Sequence, residues 1–418
     1  GGGGAMEILT APQFALEGEI DDDPEGVIPA WLQEELRQEG LLQEGQPGPE
    51  ALGQGAVLPP EATDAFGFGG QEVAGGMLIE VELPPWFVAR DQPTSVNLRL
   101  HEELLDLVSF VRPTPQEEEA RTQWLGRLQA AARSLWPSCH VEVFGSCATG
   151  LCLPTALVDV AVNGLPMTLR PTTALKMLAE RLLQTKEISR LEIAQSATVP
   201  IMRLQQRSTG LWARVVANRV DGIGTTRFIA AQIKAFPSLV PLVLVLKLFL
   251  LQRGLHETFT GGVGSFLLVN LVLSFLQRHP SATDPNMHAI TSVGNLLFDF
   301  FCHYGTEFDY STHGISVLHG GGLIDRAARG WRSAADKVTL CAESPLEPSV
   351  DLGAPAFRFG RVRAAFAHAH HVLSGLVLNK EPLGRSLLAP HLLQMTHPAV
   401  AQRYQPLEEQ PDPFAPVA

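Results

Sequence analysis

Between residues 100 and 136 apolar positions recur at three- and four-residue spacing. They do so first in LHEELLDLVSFVRP (100–113) and then in PQEEEARTQWLGRLQAAARSLW (115–136), a period that predicts two amphipathic helices. Pro115 followed by Glu117, Glu118 and Glu119 suits a first helical turn, where a missing amide donor costs nothing and negative charge meets the positive end of the dipole. The period then drops to two. VEVF (141–144) and VDVAV (158–162) predict strands linked through a Gly145-Ser146 turn, with a helix near 172–183 and three further strand-like runs, RLEIAQ, VPIMRL and LWARVVAN. From Thr225 onward helical spacing dominates, in TTRFIAAQIKAF, LVLVLKLFLLQRG, GSFLLVNLVLSFLQRH and ITSVGNLLFDFFCHYG. The pattern is that of an α+β protein: an α/β unit of about one hundred residues set between two N-terminal helices and an all-helical remainder.

These switches divide the chain into an acidic, disordered tail (1–83), an N-terminal helical segment packing on the later helices (84–118), an α/β domain (119–230), a helical central domain (231–395) and a Pro-rich tail (396–418). A short helix at 28–42 is compatible with the tail's sequence. Within the helical part, LVPLVLVLKLFLL (239–251) is too short for a bilayer and carries Lys247 in its middle, so it reads as a buried helix and predicts no membrane span.

Charge changes the picture only locally. The 418 residues carry a net charge of -13, but the first fifty hold twelve acids against one base, Arg37, leaving the remainder close to neutral. Overall acidity therefore describes a tail and says nothing against RNA contact by the folded part. The N-terminus lacks the basic-then-apolar order of a secretory signal, and the five cysteines form no CxxC pair; both features predict an intracellular chain with reduced thiols. His368, His370 and His371 share one helix in AHAHHV, without the spaced acid or cysteine a metal site needs, and read as a partly exposed face.

The stretch VFGSCATGLCLPTALVDVAVNG (143–164) has the layout of a nucleotide-handling loop, with a Gly-Ser turn at the end of one strand and Asp159 inside the next. Holding a hard divalent cation there takes acids two apart, since alternate strand positions share a face. Two before Asp159 stands Leu157.

The segments WPSCHVEVFGSCATGLCLPT, ATVPIMRL, PLVLVLKLFLLQRGLHETFTGGVGSF, LSFLQRHP and CAESPLEPSVDLG, in this order and spacing, resemble the noncanonical poly(A) polymerases of the RNA-surveillance (TRAMP-type) branch, within the DNA polymerase β-like nucleotidyltransferase superfamily. The resemblance spans 84–376. It implies a palm-like nucleotidyltransferase domain joined to a helical poly(A) polymerase-associated domain, with ATP in the cleft between them and Mg²⁺ or Mn²⁺ as cofactor. It further implies RNA 3′ ends as substrate, a zinc-knuckle RNA-binding protein and an RNA helicase as partners, and a nuclear location, with the cytoplasm as the alternative.

By the same resemblance Gly145 and Ser146 match the phosphate turn, Asn218 the ribose contact, Lys247 the triphosphate lysine, and Ser265 with Phe266 the nucleotide-stacking helix start. Gly264 replaces a serine there, and Val350-Asp351 stands where the family has an Asn-Asp pair for the base. Asp159 is the remaining metal-binding acid. Leu157 and Arg214 occupy the other two acid positions, and Asp221 falls in the loop past the strand. Leu cannot coordinate a cation and Arg214 brings a permanent positive charge, so the expected outcome is an Arg214–Asp159 salt bridge in place of metal. Three readings follow: a pseudoenzyme that binds or scaffolds, an active 3′-adenylyltransferase with rearranged ligands, or a decaying gene copy without a selected role.

Overall fold

The computed structural model describes residues 83–90, 95–194, 199–219, 221–283, 292–331, 338–378, 384–397 and 400; the acidic tail, the 28–42 helix and most of the Pro-rich tail lie outside the described residues. Helix α1 (Val96–Val111) starts on Ser95, whose hydroxyl accepts from the Leu98 amide. Helix α2 (Pro115–Leu135) has a complete capping box, in which the Thr114 hydroxyl accepts from the Glu117 amide while the Glu117 carboxylate accepts from the Thr114 amide.

Strands β1 (His140–Phe144), β2 (Val158–Asn163), β3 (Ile188–Ala194), β4 (Ile201–Gln206) and β5 (Trp212–Ala217) form one sheet in the order β1-β2-β5-β4-β3. Only the β2–β5 pair is parallel. Val158, Val160 and Val162 on β2 and Ala213, Val215 and Ala217 on β5 face a core shared with Trp124 and Leu128 of α2 and with Leu175 and Leu178 of helix α4 (Pro171–Leu183). The intervening positions, Asp159 and Arg214 among them, point to the other face. There lie the one-turn helix α3 (Gly145–Thr149) and helix α5 (Asp221–Ala235), against each other and against β1. Asp221, expected in a loop, instead opens α5, because the chain turns into the helix within three residues of Asn218.

The second core surrounds helix α6 (Leu239–Leu251), which buries apolar side chains on every side and breaks that run at Lys247. Around it pack α1, helix α7 (Ser265–Arg278), helix α8 (Val293–Cys302) and helix α9 (Phe359–Leu378). Among the described residues no helix is long and apolar enough to cross a membrane. The remainder is not all helical. Strands β6 (His313–Ser316) and β7 (Gly322–Asp325) form an antiparallel pair, extended by bridges from Ile315 to Ala342 and from Glu343 to Asp351. Four-residue strands rich in glycine are too short for alternation to show in the sequence.

The histidines of AHAHHV lie on α9, where His370 packs against Phe298 at 4.8 Å between ring centroids.

Glu103, at 3% exposure, fastens α1 to two distant segments. Its carboxylate accepts from Trp86 Nε1 at 3.2 Å, from the Leu387 amide at 2.6 Å, from the Leu388 amide at 3.4 Å, and from the Ser386 hydroxyl. Burial pushes this carboxyl above the ordinary glutamate range despite those donors. Replacing it leaves buried donors without an acceptor, so Glu103→Ala should cost about 2–4 kcal/mol and Glu103→Gln clearly less, measured by urea unfolding. The raised value also sets a sign: the carboxyl's contribution is full in acid and is lost as pH rises through its folded value. Wild type should therefore lose stability relative to Glu103→Gln as pH rises above the ordinary glutamate range, read by urea unfolding at a series of pH values.

Candidate functional site

The site begins where β1 ends. Gly145 takes φ +72°, and a Cβ there would lie 2.8 Å from Asp159 Oδ2, so the turn needs glycine both for its backbone angle and for the carboxylate behind it. The Gly145 amide donates to Thr226 Oγ1 at 2.8 Å, and that hydroxyl donates to the Gly222 carbonyl at 2.7 Å, tying the turn to α5. α3 closes at Gly150, with φ +73°, and the Leu151 amide returns to the Ser146 carbonyl at 3.0 Å.

Asp159 and Arg214 stand directly opposite each other in the parallel β2–β5 register. Arg214 Nε donates to Asp159 Oδ1 at 2.6 Å, a contact through one nitrogen rather than the two-pronged fork that guanidinium allows. The row continues across the sheet, since Arg214 is paired with Arg203 on β4 and Arg203 with Glu192 on β3. An acid, two arginines and an acid thus lie side by side on the face away from the palm core. Burial pushes the Asp159 carboxyl up, and the Arg214 charge and hydrogen bond, with Lys247 behind them, pull against it.

This donor set does not fit a divalent cation. Leu157 offers only a backbone carbonyl, which already accepts the Cys147 thiol at 3.3 Å, and Arg214 places a cation where a second carboxylate would be required. Among the described residues no three histidines, cysteines or acids gather to hold a metal.

Lys247 reaches from α6 into the same region and donates through Nζ to the Leu151 carbonyl at 3.2 Å. Burial lowers its pKa, opposed by the nearby Cys152, Cys147, Asp159 and Glu257. Glu257, which sequence pattern did not single out, is held down by a hydrogen bond with His256, and the charges of His256, Arg214 and Lys247 act in the same direction. Its only signal was its position between α6 and the TGG segment. The structure therefore brings Gly145, Asp159 and Arg214 into contact, with the charges of Lys247 and Glu257 within electrostatic reach. Ser265 is the first residue of α7, and the Phe266 ring meets Phe228 edge to face at 6.3 Å.

Two of the expected nucleotide contacts use their side chains locally. Asn218, at φ +50°, accepts from the Leu165 amide at 3.1 Å and donates to the Leu165 carbonyl at 3.3 Å. Asp351 Oδ1 accepts from the Ala342 amide at 2.9 Å and the Gly353 amide at 2.8 Å.

Comparison with known proteins identifies the family and the fold. Residues 100–233 match the family described as poly(A) RNA polymerase, mitochondrial-like, central palm domain, and residues 292–350 match the Cid1 family poly A polymerase domain. The chain is 31% identical to poly(A) RNA polymerase cid14 of Schizosaccharomyces pombe, over 69% of this chain and 42% of that protein. It is also 31% identical to the inactive noncanonical poly(A) RNA polymerase protein Trf4-2 of Drosophila melanogaster, over 66% of this chain and 69% of the relative. Its fold matches a solved polymerase core of TRAMP, described as an RNA surveillance complex, with a TM-score of 0.66 and 27% identity over 74% of this chain and 98% of that one. Matches to the first three curated relatives span 42%, 46% and 36% of their lengths, less than half in each case.

Because Arg214 is partly exposed, at 40%, its own loss is screened, but the buried Asp159 is left unpaired. Arg214→Ala should cost about 1–2 kcal/mol in thermal or urea unfolding and raise the Asp159 pKa further, read by carboxyl NMR titration. Arg214→Asp should cost more than Arg214→Ala, because it sets two carboxylates face to face across the strand pair.

Proposed function

The chain belongs to the noncanonical poly(A) polymerase family, and from that membership we propose that it is a catalytically impaired member that acts by binding in RNA 3′-end metabolism. The observation that carries this is the Arg214–Asp159 ion pair, which neutralises the acid that would otherwise serve a metal. Two-metal transfer needs carboxylates to activate a 3′-hydroxyl and to clamp a triphosphate. Here Arg214 takes up the charge of Asp159, and Leu157 contributes none. The similarity to an inactive Drosophila relative supports the same direction.

What this chain's residues retain is a cation for a phosphate, the Lys247 ammonium near the Gly145-Ser146 turn, and a ring for the flat face of a base, Phe266. We place its work in RNA surveillance, in the nucleus, on RNA 3′ ends. The zinc-knuckle RNA-binding protein and RNA helicase implied by resemblance are its candidate partners, with ATP as a weak ligand and Mg²⁺ or Mn²⁺ without a catalytic role. The support is the likeness to a TRAMP polymerase core and to cid14.

Purified protein given an oligoadenylate primer, ATP and Mg²⁺ or Mn²⁺ should not extend the primer, and Mg²⁺ should change its ATP affinity by less than about tenfold, or about 1.4 kcal/mol. Extension that disappears in Asp159→Ala would overturn the proposal. The double variant Leu157→Asp with Arg214→Asp is expected to raise the Mg²⁺ dependence of ATP binding.

A further inference from the structure

Among the described residues Phe357 is the only exposed aromatic, at 64%, and it belongs to neither hydrophobic core. It is not on a loose loop. Ala356 before it and Phe359, the first residue of α9, are buried in the helical core, and the Arg358 amide donates to the Gly261 carbonyl at 2.9 Å. The ring lies with its Cδ2–Cε2–Cζ side against Gly261, whose φ of +81° and missing side chain both matter, since a Cβ there would come within 2.5 Å of Phe357 Cε2. One side of the ring thus rests on backbone, and the rest faces solvent.

Around this ring the charge is one-sided. Residues 352–379 hold Arg358, Arg361 and Arg363 with three histidines and no acid, in a chain whose net charge is -13. Arg363 is committed internally, its Nε donating to the Gly305 carbonyl at 3.3 Å and its guanidinium standing over Tyr310. The other two are available. Arg358 makes one long contact, from Nη1 to the Thr260 carbonyl at 3.4 Å, and Arg361 is exposed; among the described residues neither has an acidic partner. Burial, and then the charge of Arg358, lower the Arg361 pKa, as two cations held near each other require. On the Gly261 side, Glu257 is engaged by His256 at 3.1 Å.

We propose that Phe357, Arg358 and Arg361 bind an unpaired stretch of RNA, one base stacking on the open side of the ring and the adjoining phosphates taking the two guanidiniums. This rests on the RNA-binding reading above and extends it to a place outside the Gly145–Lys247 site. An unpaired strand is the polyanion that fits, because each of its units offers a flat face together with a negative charge; a duplex hides those faces, and an acidic peptide carries charge without a stacking face at every unit. The platform reads no sequence, since every base has such a face. Glu257 lies within electrostatic reach of Lys247 and Arg214, and the chain from it to Gly261 extends no more than about 14 Å, so a single strand of a few nucleotides can touch both places.

The test is fluorescence anisotropy of the full-length chain with a labelled oligoadenylate of about 15 nucleotides, where Phe357→Ala should weaken binding about tenfold and Phe357→Trp should not weaken it. Arg358→Gln and Arg361→Gln should each weaken it and lower the slope of log affinity against log salt by about 0.7. An abasic strand of the same length should bind wild type less tightly and be indifferent to Phe357→Ala. Equal affinity of wild type and Phe357→Ala for oligoadenylate overturns the proposal; if that affinity falls instead in Lys247→Met, the RNA-binding reading stands without it. Failure of the wild type to bind oligoadenylate overturns both. Polyglutamate held as tightly as oligoadenylate, and released by Phe357→Ala, would make this a protein-binding surface and overturn the assignment to RNA.

Discussion

A helix that is apolar on every side cannot rest on a surface, and α6 is such a helix. From Leu239 to Leu250 nearly every side chain is buried, so α1, α7, α8 and α9 must cover it from all directions. Its one charged side chain, Lys247, has a single outlet, the seam with the palm, where Leu151 supplies a carbonyl. Leu151 and Leu153 in turn bury their side chains in the helical core although they belong to the loop leaving α3. The position of the Gly145-Ser146 turn relative to Lys247 is therefore a by-product of hydrophobic closure around α6, and it survives whether or not any chemistry is done there.

This separates two properties that an active polymerase would combine. The scaffold that brings a Gly-Ser turn, a lysine and a strand acid to one place is set by packing, which loses nothing when a ligand acid is exchanged. Whether a metal is needed at that place is decided by the side chains at three positions, 157, 159 and 214. With Leu157 and Arg214 in two of those positions, the remaining carboxylate is satisfied from within the protein. A buried carboxylate needs some cation nearby, and a guanidinium fixed on the adjacent parallel strand provides one without binding anything from solution.

Much of this was legible in the sequence. The three-to-four period located α1, α2, α6, α7 and α8, and the shift to a period of two located the five palm strands, because each of these segments buries one face or all faces over enough residues for the pattern to repeat. The shared face of Asp159 and Arg214 was legible too, since alternation on two adjacent strands fixes which side chains are neighbours. Other features were not. β6 and β7 are too short and too rich in glycine to carry a period. Asp221 was misplaced because a helix start directly after a strand has no apolar signature. The single-nitrogen contact of Arg214 and the approach of Glu257 depend on how the chain closes in three dimensions. Spacing along the chain says little about that.

The clasp at Glu103 bears on how the chain reaches this structure. Trp86 and α1 belong to the helical core, yet the whole palm is interposed between them and α6, and the Ser386–Leu388 segment that completes the Glu103 carboxylate's shell comes almost three hundred residues later, at separations of 283 to 285. The palm's contacts close within a continuous stretch of chain, whereas the helical core must join segments from either side of it. On a ribosome the palm's own core is complete first, while α1 waits with its apolar face uncovered, as Leu151 and Leu153 do, until α6 and its neighbours emerge. The helical domain, although it has the larger core, is thus the late-folding half of the molecule, and during synthesis α1 is the element most exposed to chaperones and to misassociation.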